Sequence, residues 1–332
     1  MKKRFVAIFA LVILVLLGYV LRDIDFYGVY FLLQEIDLFY FALAFLSCLV
    51  SFLLWNLRWK NTLRGIVNAD YFFLLKVLFA GVFFNNITPG TGIGGEPVRA
   101  YFLSKKYKQS KTKILGSILA DKMFNLSVFL LFVVLSLLFI LVFADIPGGL
   151  KILFEIGLFV IFILITIFLI IPNKEKFKGW ILKKSFSFKS VRGNFRNFKE
   201  FEKYVNKRIS NLKNSFKKSL KGKNKFYRGF LLSLGVWMST YLVSYFLFLS
   251  FDAKINLLPI IIVITLSTLI GDISPIPGGM GLMESSMFLL YSSMGIPGPL
   301  AVVVTLLSRF IYYFFSLFIG GISVVYLKFS VK

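Results

Sequence analysis

Apolar runs of roughly twenty residues, the length a helix needs to cross the hydrocarbon core of a bilayer, recur along this chain. A soluble fold has nowhere to hide them: hydrophobic residues make up 58% of the 332, and Phe alone occurs 41 times. The runs predict an all-α, polytopic membrane protein. Composition also narrows the chemistry. With no histidine, imidazole ligation and His-based acid/base catalysis are excluded, and the single Cys48 leaves no internal disulfide. No metal site and no cofactor is expected. The formal net charge of +24 would suit nucleic acid, but the basic residues sit beside apolar runs, where they mark the cytoplasmic side. Nucleic acid is therefore not an expected partner.

Read in order, the chain gives about six full spans and two broken segments. Met1-Lys2-Lys3-Arg4 and the run Phe5 to Leu21 resemble a signal peptide, but no small-residue cleavage site precedes Arg22-Asp23, so the run counts as an uncleaved first span. A span from about Phe39 to Leu57 ends at Trp55, Arg58, Trp59 and Lys60, an aromatic and basic edge of the kind found at a cytoplasmic interface. Further spans run from Ile114 to Phe143, Ile152 to Ile171, Phe230 to Phe251 and Leu300 to Leu327. Both termini are expected in the cytoplasm and the protein in the plasma membrane.

Residues 173–228 form a basic insert with nineteen Lys and Arg against Glu175, Glu200 and Glu202. Within it Phe195, Phe198, Phe201, Val205, Ile209, Leu212, Phe216 and Leu220 recur every three or four residues, the pattern of one helical face. Residues 195–220 are thus expected to form an amphipathic helix, either on the anionic inner leaflet or against a partner, with a second copy of the chain a further candidate.

The two broken segments match each other. Tyr71 to Asn86 is short for a span and stops at Asn86-Ile87-Thr88-Pro89-Gly90-Thr91-Gly92-Ile93-Gly94-Gly95-Glu96. Leu257 to Ile270 stops at Gly271-Asp272-Ile273-Ser274-Pro275-Ile276-Pro277-Gly278-Gly279-Met280-Gly281. At one constant offset Ile87-Thr88-Pro89 falls on Ile273-Ser274-Pro275, Gly92 on Gly278 and Gly95 on Gly281. Glu96 meets Glu284 with a two-residue slip, and Lys122 meets Arg309 with a slip of one. With orientation set by the basic flanks, the expected architecture is an inverted-topology repeat: unit 39–143 and unit 230–327, each with one re-entrant hairpin. In secondary transporters such Gly/Pro-interrupted pairs mark a central substrate site.

Irregular backbone at membrane depth must face protein or a water-filled cavity, since each unsatisfied group in lipid costs several kcal/mol. Ionisable residues within spans usually face inward for the same reason. The candidate binding residues are accordingly Asn86, Thr88, Gly92, Gly94, Gly95, Glu96 and Arg99, with Asp121 and Lys122, in the first unit. The second unit supplies Asp272, Ser274, Gly278, Gly279, Gly281, Glu284 and Arg309. Glycines that permit close approach, helix N-termini and cationic side chains together suit a phosphate-bearing lipid head group. Asp121 and Lys122, about 100° apart on a helix, are expected to seek different partners, and Lys122 and Arg309 either neutralise Glu96 and Glu284 or bind the head group.

At Asn86-Ile87-Thr88-Pro89, Gly92 to Arg99, Asp121-Lys122 and Ser274 to Glu284 the chain resembles the flippase-like family that includes the transmembrane region of lysylphosphatidylglycerol synthases, the UPF0104 or AglD-like membrane proteins. The resemblance covers nearly the whole chain. It implies a membrane domain that moves or presents lipids with modified or phosphorylated head groups. Synthases of this kind carry a soluble transferase domain after the spans; here the sequence ends at Lys332, and no aminoacyl transfer is expected from it.

The leading expectation is a flippase or scramblase-like transporter for an anionic phospho- or polyprenyl-phosphate lipid. No P-loop is present, so ATP hydrolysis is not expected. Two other classes remain open: a lipid-linked glycosyl- or head-group transferase using Glu96, Asp121, Asp272 or Glu284, and a non-catalytic membrane subunit that recruits a partner through its basic insert.

Overall fold

The computed structural model describes residues 26–88, 94–143, 195 and 197–331. The runs Phe5 to Leu21 and Ile152 to Ile171, Gly92 and the first part of the basic insert lie outside these residues. Every regular element described is helical. In chain order they are α1 (Phe26–Gln34), α2 (Leu38–Leu63), α3 (Tyr71–Ile87), α4 (Gly95–Lys106), α5 (Lys111–Phe143), α6 (Phe198–Leu220), α7 (Lys223–Leu249), α8 (Leu257–Ile273), α9 (Leu282–Ser293), α10 (Gly298–Tyr313) and α11 (Gly320–Ser330). A π-helical stretch, Phe314–Ile319, joins the last two into one continuous rod.

Among the described residues four helices are long and apolar enough to cross a membrane: α2, α5, α7 and the α10–α11 rod. They are apolar nearly all round, as helices in contact with lipid on one side and protein on the other must be. Local chemistry sets their ends. The Asp37 carboxylate accepts the Phe39 N–H at 2.7 Å, opening α2, and Asp70 accepts the Phe73 N–H at 2.8 Å, opening α3.

Helices α3 and α8 are shorter, 17 residues each. At 1.5 Å per residue that is about 26 Å, less than the roughly 30 Å of a hydrocarbon core. Both stop in the same way. Thr88 (φ −95°, ψ 141°) and Ser274 (φ −64°, ψ 132°) are extended, and each is followed by proline, which disfavours helical geometry in the residue before it.

The helices then turn back: α3 packs against α4, and α8 against α9. Packing across the molecule is reciprocal. Helices α2 and α7 lie along each other, α3 packs on the π-helical stretch and α11, and α8 packs on α5. The shared core runs through Phe52, Trp59, Leu74, Leu78, Leu103, Ile118, Tyr241, Leu247, Val263 and Tyr291, so all four spans and both short hairpins form one apolar body.

Candidate functional site

Two layers of charge lie where the short hairpins meet the spans. The deeper layer centres on Asp121 of α5. Arg58 donates from Nε to Asp121 Oδ1 at 2.8 Å, Trp55 donates from Nε1 to Oδ2 at 3.0 Å, and Arg99 Nη2 approaches Oδ2 at 3.4 Å. Arg58 also donates from Nη1 to Asn125 Oδ1 and to Ser233 Oγ, both at 3.0 Å. The Arg99 guanidinium lies over the Trp59 ring, 3.7 Å from its centre, a desolvated cation–π contact. Arg58, Arg99 and Asp121 are each 2% exposed or less. This layer ties α2, α4, α5 and α7 into one unit.

The nearer layer consists of two ion pairs. Lys122 Nζ stands 2.5 Å from Glu96 Oε1, and Arg309 Nε stands 2.6 Å from Glu284 Oε1. Their settings differ: the Lys122 side chain is 45% exposed, that of Arg309 only 9%. Asp272 stands in the last turn of α8, on its exposed side. Asp121 and Lys122, adjacent in sequence, thus serve different layers.

Glycine builds the second hairpin. Gly278, Gly279 and Gly281 have φ of +65°, +67° and +86°, a region open to glycine at no steric cost. Glu284 locks this turn, taking the Gly281 N–H on Oε2 at 2.6 Å, the reach-back half of a capping box. Arg309 completes the clamp by donating from Nη2 to the Gly278 carbonyl at 3.0 Å and to the Tyr313 hydroxyl at 2.6 Å. Ser274 Oγ accepts the Ile276 N–H at 3.1 Å, shaping the approach to the turn.

In the first hairpin Asn85 Oδ1 accepts the Gly95 N–H at 2.6 Å, and Thr88 Oγ1 donates to the Phe84 carbonyl at 2.7 Å. Gly94 precedes α4, and a side chain there would collide with Thr88. The end of α3 meets the turn of the second hairpin. A side chain at Gly278 would come within 2.9 Å of Asn86 Oδ1, and Asn86 Nδ2 is 3.5 Å from the Tyr312 hydroxyl.

Asn86, Gly278, Gly281, Glu284 and Arg309 therefore share one locus; Glu96 and Lys122 form a pair of their own, and Arg99 and Asp121 are buried together. Sequence reasoning did not include Arg58, Trp55, Tyr312 or Tyr313. The signal was there: Trp55, Arg58 and Trp59 are spaced i, i+3, i+4, and Arg309, Tyr312 and Tyr313 likewise, so each trio shares a helical face. Among the described residues no group of three Asp, Glu or Cys side chains lies close enough to hold a metal ion.

Residues 6–320 match the family model of the lysylphosphatidylglycerol synthase transmembrane region. The chain belongs to this family. The match spans both short hairpins, three of the long apolar helices and most of the fourth, and every ion pair between them, consistent with a multi-pass membrane protein. Two relatives are similar along almost their full length. A UPF0104 membrane protein of Pyrococcus horikoshii is 29% identical over 303 residues, 89% of each chain. One from Methanothermobacter thermautotrophicus is 28% identical over 307 residues, 90% of this chain and 89% of its own. A phosphatidylglycerol lysyltransferase of Staphylococcus aureus is 31% identical over only 90 residues, 27% of this chain and 11% of that protein.

Proposed function

We propose that this protein moves lipids with an anionic phosphate-bearing head group, a phospholipid or a polyprenyl phosphate, from one leaflet to the other without hydrolysing ATP. The α3–α4 and α8–α9 hairpins enter from opposite sides as the re-entrant parts of an inverted repeat of units 39–143 and 230–327. The head group passes where they meet, and the acyl or prenyl chains stay in the bilayer. What carries the reading is the matched pair of ion pairs, Lys122–Glu96 and Arg309–Glu284, at corresponding places in the two units.

Three further observations support it. The 17-residue helices both stop before proline with an extended residue. Packing is exchanged between the units, α3 on the last rod of the second and α8 on the last span of the first. The end of α3 approaches the turn of the second hairpin closely, at Asn86 and Gly278. In this scheme the half-exposed Lys122 receives the phosphate first and Glu96 gives up part of its hold on that ammonium, because a phosphate oxygen is a strong charge-assisted acceptor. Arg309, clamped to the Gly278 carbonyl, does the same from the other side. The Arg58–Asp121–Arg99 layer keeps the hairpins in register and touches no lipid.

The test is transbilayer movement of fluorescent phospholipids and polyprenyl phosphates in proteoliposomes. The wild type is expected to move at least one of them, with Glu96→Gln, Glu284→Gln and Arg309→Ala abolishing movement. Movement unaffected by all three substitutions would place the pathway elsewhere. Head-group turnover that needs a soluble donor would favour a transferase.

A further inference from the structure

Helix α6 carries seven Lys and Arg against two Glu, and it packs on α5 and, more lightly, on α2. It crosses α5 at Gly116, where an added Cβ would stand 2.7 Å from the Leu212 carbonyl and 2.8 Å from Ser215 Cβ. One turn further on, Lys218 lies beside Gly65, just past α2, and Lys225 at the start of α7 donates from Nζ to the Arg64 carbonyl at 2.7 Å. α6 therefore lies across the basic ends of α2, α5 and α7, at the level where the spans leave the hydrocarbon.

Its three sides differ. Phe201, Ser215 and Ser219 are buried. Lys199, Lys203, Lys207, Lys213, Lys217 and Lys218 are exposed on the opposite side. Between the two, Ile209 is 41% exposed on an apolar edge. A helix held at a membrane boundary with one apolar edge and a row of free ammonium groups complements a surface of anionic head groups, each basic side chain adding to the attraction.

We propose that the outward face of α6 binds the anionic lipid surface of the membrane in which the protein sits. This surface is separate from the hairpin site, but not remote from it: Gly116 precedes Asp121 by five residues of one helix, about 7 Å along its axis. The charge of the leaflet thus bears on the span that carries Asp121 and Lys122.

The experiment is amide hydrogen exchange of the full chain in nanodiscs of pure phosphatidylcholine and in discs with about a third phosphatidylglycerol, with α2 as internal reference. Exchange of α6 is expected to slow about tenfold or more in the anionic discs. The difference should collapse at about 1 M salt, where the screening length falls to about 3 Å. The variant Lys203→Gln/Lys207→Gln/Lys213→Gln/Lys217→Gln should lose it while α2 stays protected. Equal α6 exchange in the two discs would overturn the proposal. So would protection in neutral discs by soluble poly-glutamate that anionic lipid fails to give, which would mark an acidic protein partner instead.

Discussion

Arg309 and Glu284 hold the second hairpin from both ends of one carboxylate: Oε1 faces Arg309 Nε at 2.6 Å, while Oε2 takes the Gly281 N–H at 2.6 Å. The same guanidinium reaches the Gly278 carbonyl, so one ion pair fixes both sides of a turn that has positive φ at three glycines.

Removing one partner strands the other. Arg309→Ala should destabilise the protein by about 3–5 kcal/mol, the usual cost of an uncompensated buried charge. The double variant Glu284→Gln/Arg309→Gln should recover much of that loss, because neutral amides can hydrogen-bond to each other. Thermal unfolding in detergent reads the stability, and the proteoliposome assay should find neither variant moving lipid.

The two charge layers should separate by mutation. Asp121→Asn leaves Arg58 and Arg99 buried without a counter-charge and should cost several kcal/mol. Lys122→Gln strands the Glu96 carboxylate, 11% exposed, but beside a half-exposed position that water can reach, so it should cost less than Asp121→Asn, yet abolish lipid movement. Stability curves and transport rates on the two variants check this; an Asp121→Asn protein as stable as wild type would contradict the packing described here.

Close backbone approach makes a third expectation. A Cβ at Gly81 would stand 2.6 Å from Arg99 Cγ, and one at Gly95 would fall on the Gly81 carbonyl. Gly81→Ala and Gly95→Ala should each destabilise by about 1–3 kcal/mol through overpacking. Gly298→Ala, with nothing within 4 Å, is the matched control and should leave the unfolding midpoint nearly unchanged.

Orientation is tested by labelling single cysteines in a Cys48→Ala background. Gly94 and Gly279 are poor positions, because a side chain at the first would meet Thr88 and at the second would stand 2.9 Å from the Gly271 carbonyl. Pro97→Cys and Met280→Cys use exposed positions in the same hairpins. Pro97→Cys should react only with reagent added from the cytoplasmic side and Met280→Cys only from outside; the reverse or a mixed pattern would reject the inverted repeat.

Much of the helical layout was legible in the sequence because its signals are local. Apolar run length marked α2, α5 and α7, and proline after Thr88 and Ser274 marked the stops of α3 and α8. The three-to-four spacing of Phe201, Val205 and Leu212 marked α6. The role of Arg58 was not legible, since a basic residue beside Trp55 and Trp59 at a helix end reads as an interface anchor. Its burial depends on Asp121, 63 positions away, and on Ser233, 175 positions away. The burial of Arg99 against Trp59 has the same origin, two helices meeting that are distant in sequence. The insert showed an apolar face, but that the face docks on α5 rests on Gly116, a single residue without a pattern around it.

The groups gathered at the hairpins have an electrical consequence. Arg58, Arg99, Lys122 and Arg309 are matched in number by Glu96, Asp121, Asp272 and Glu284, although the chain as a whole carries +24. A rearrangement of this cluster as a body carries no net charge through the membrane field. In the proposed transport, voltage would then act on the lipid alone, at about 2.3 kcal/mol per elementary charge per 100 mV. Passage of a singly charged lipid would be electrogenic by that one charge, so the resting potential, negative inside, would bias an anionic head group toward the outer leaflet.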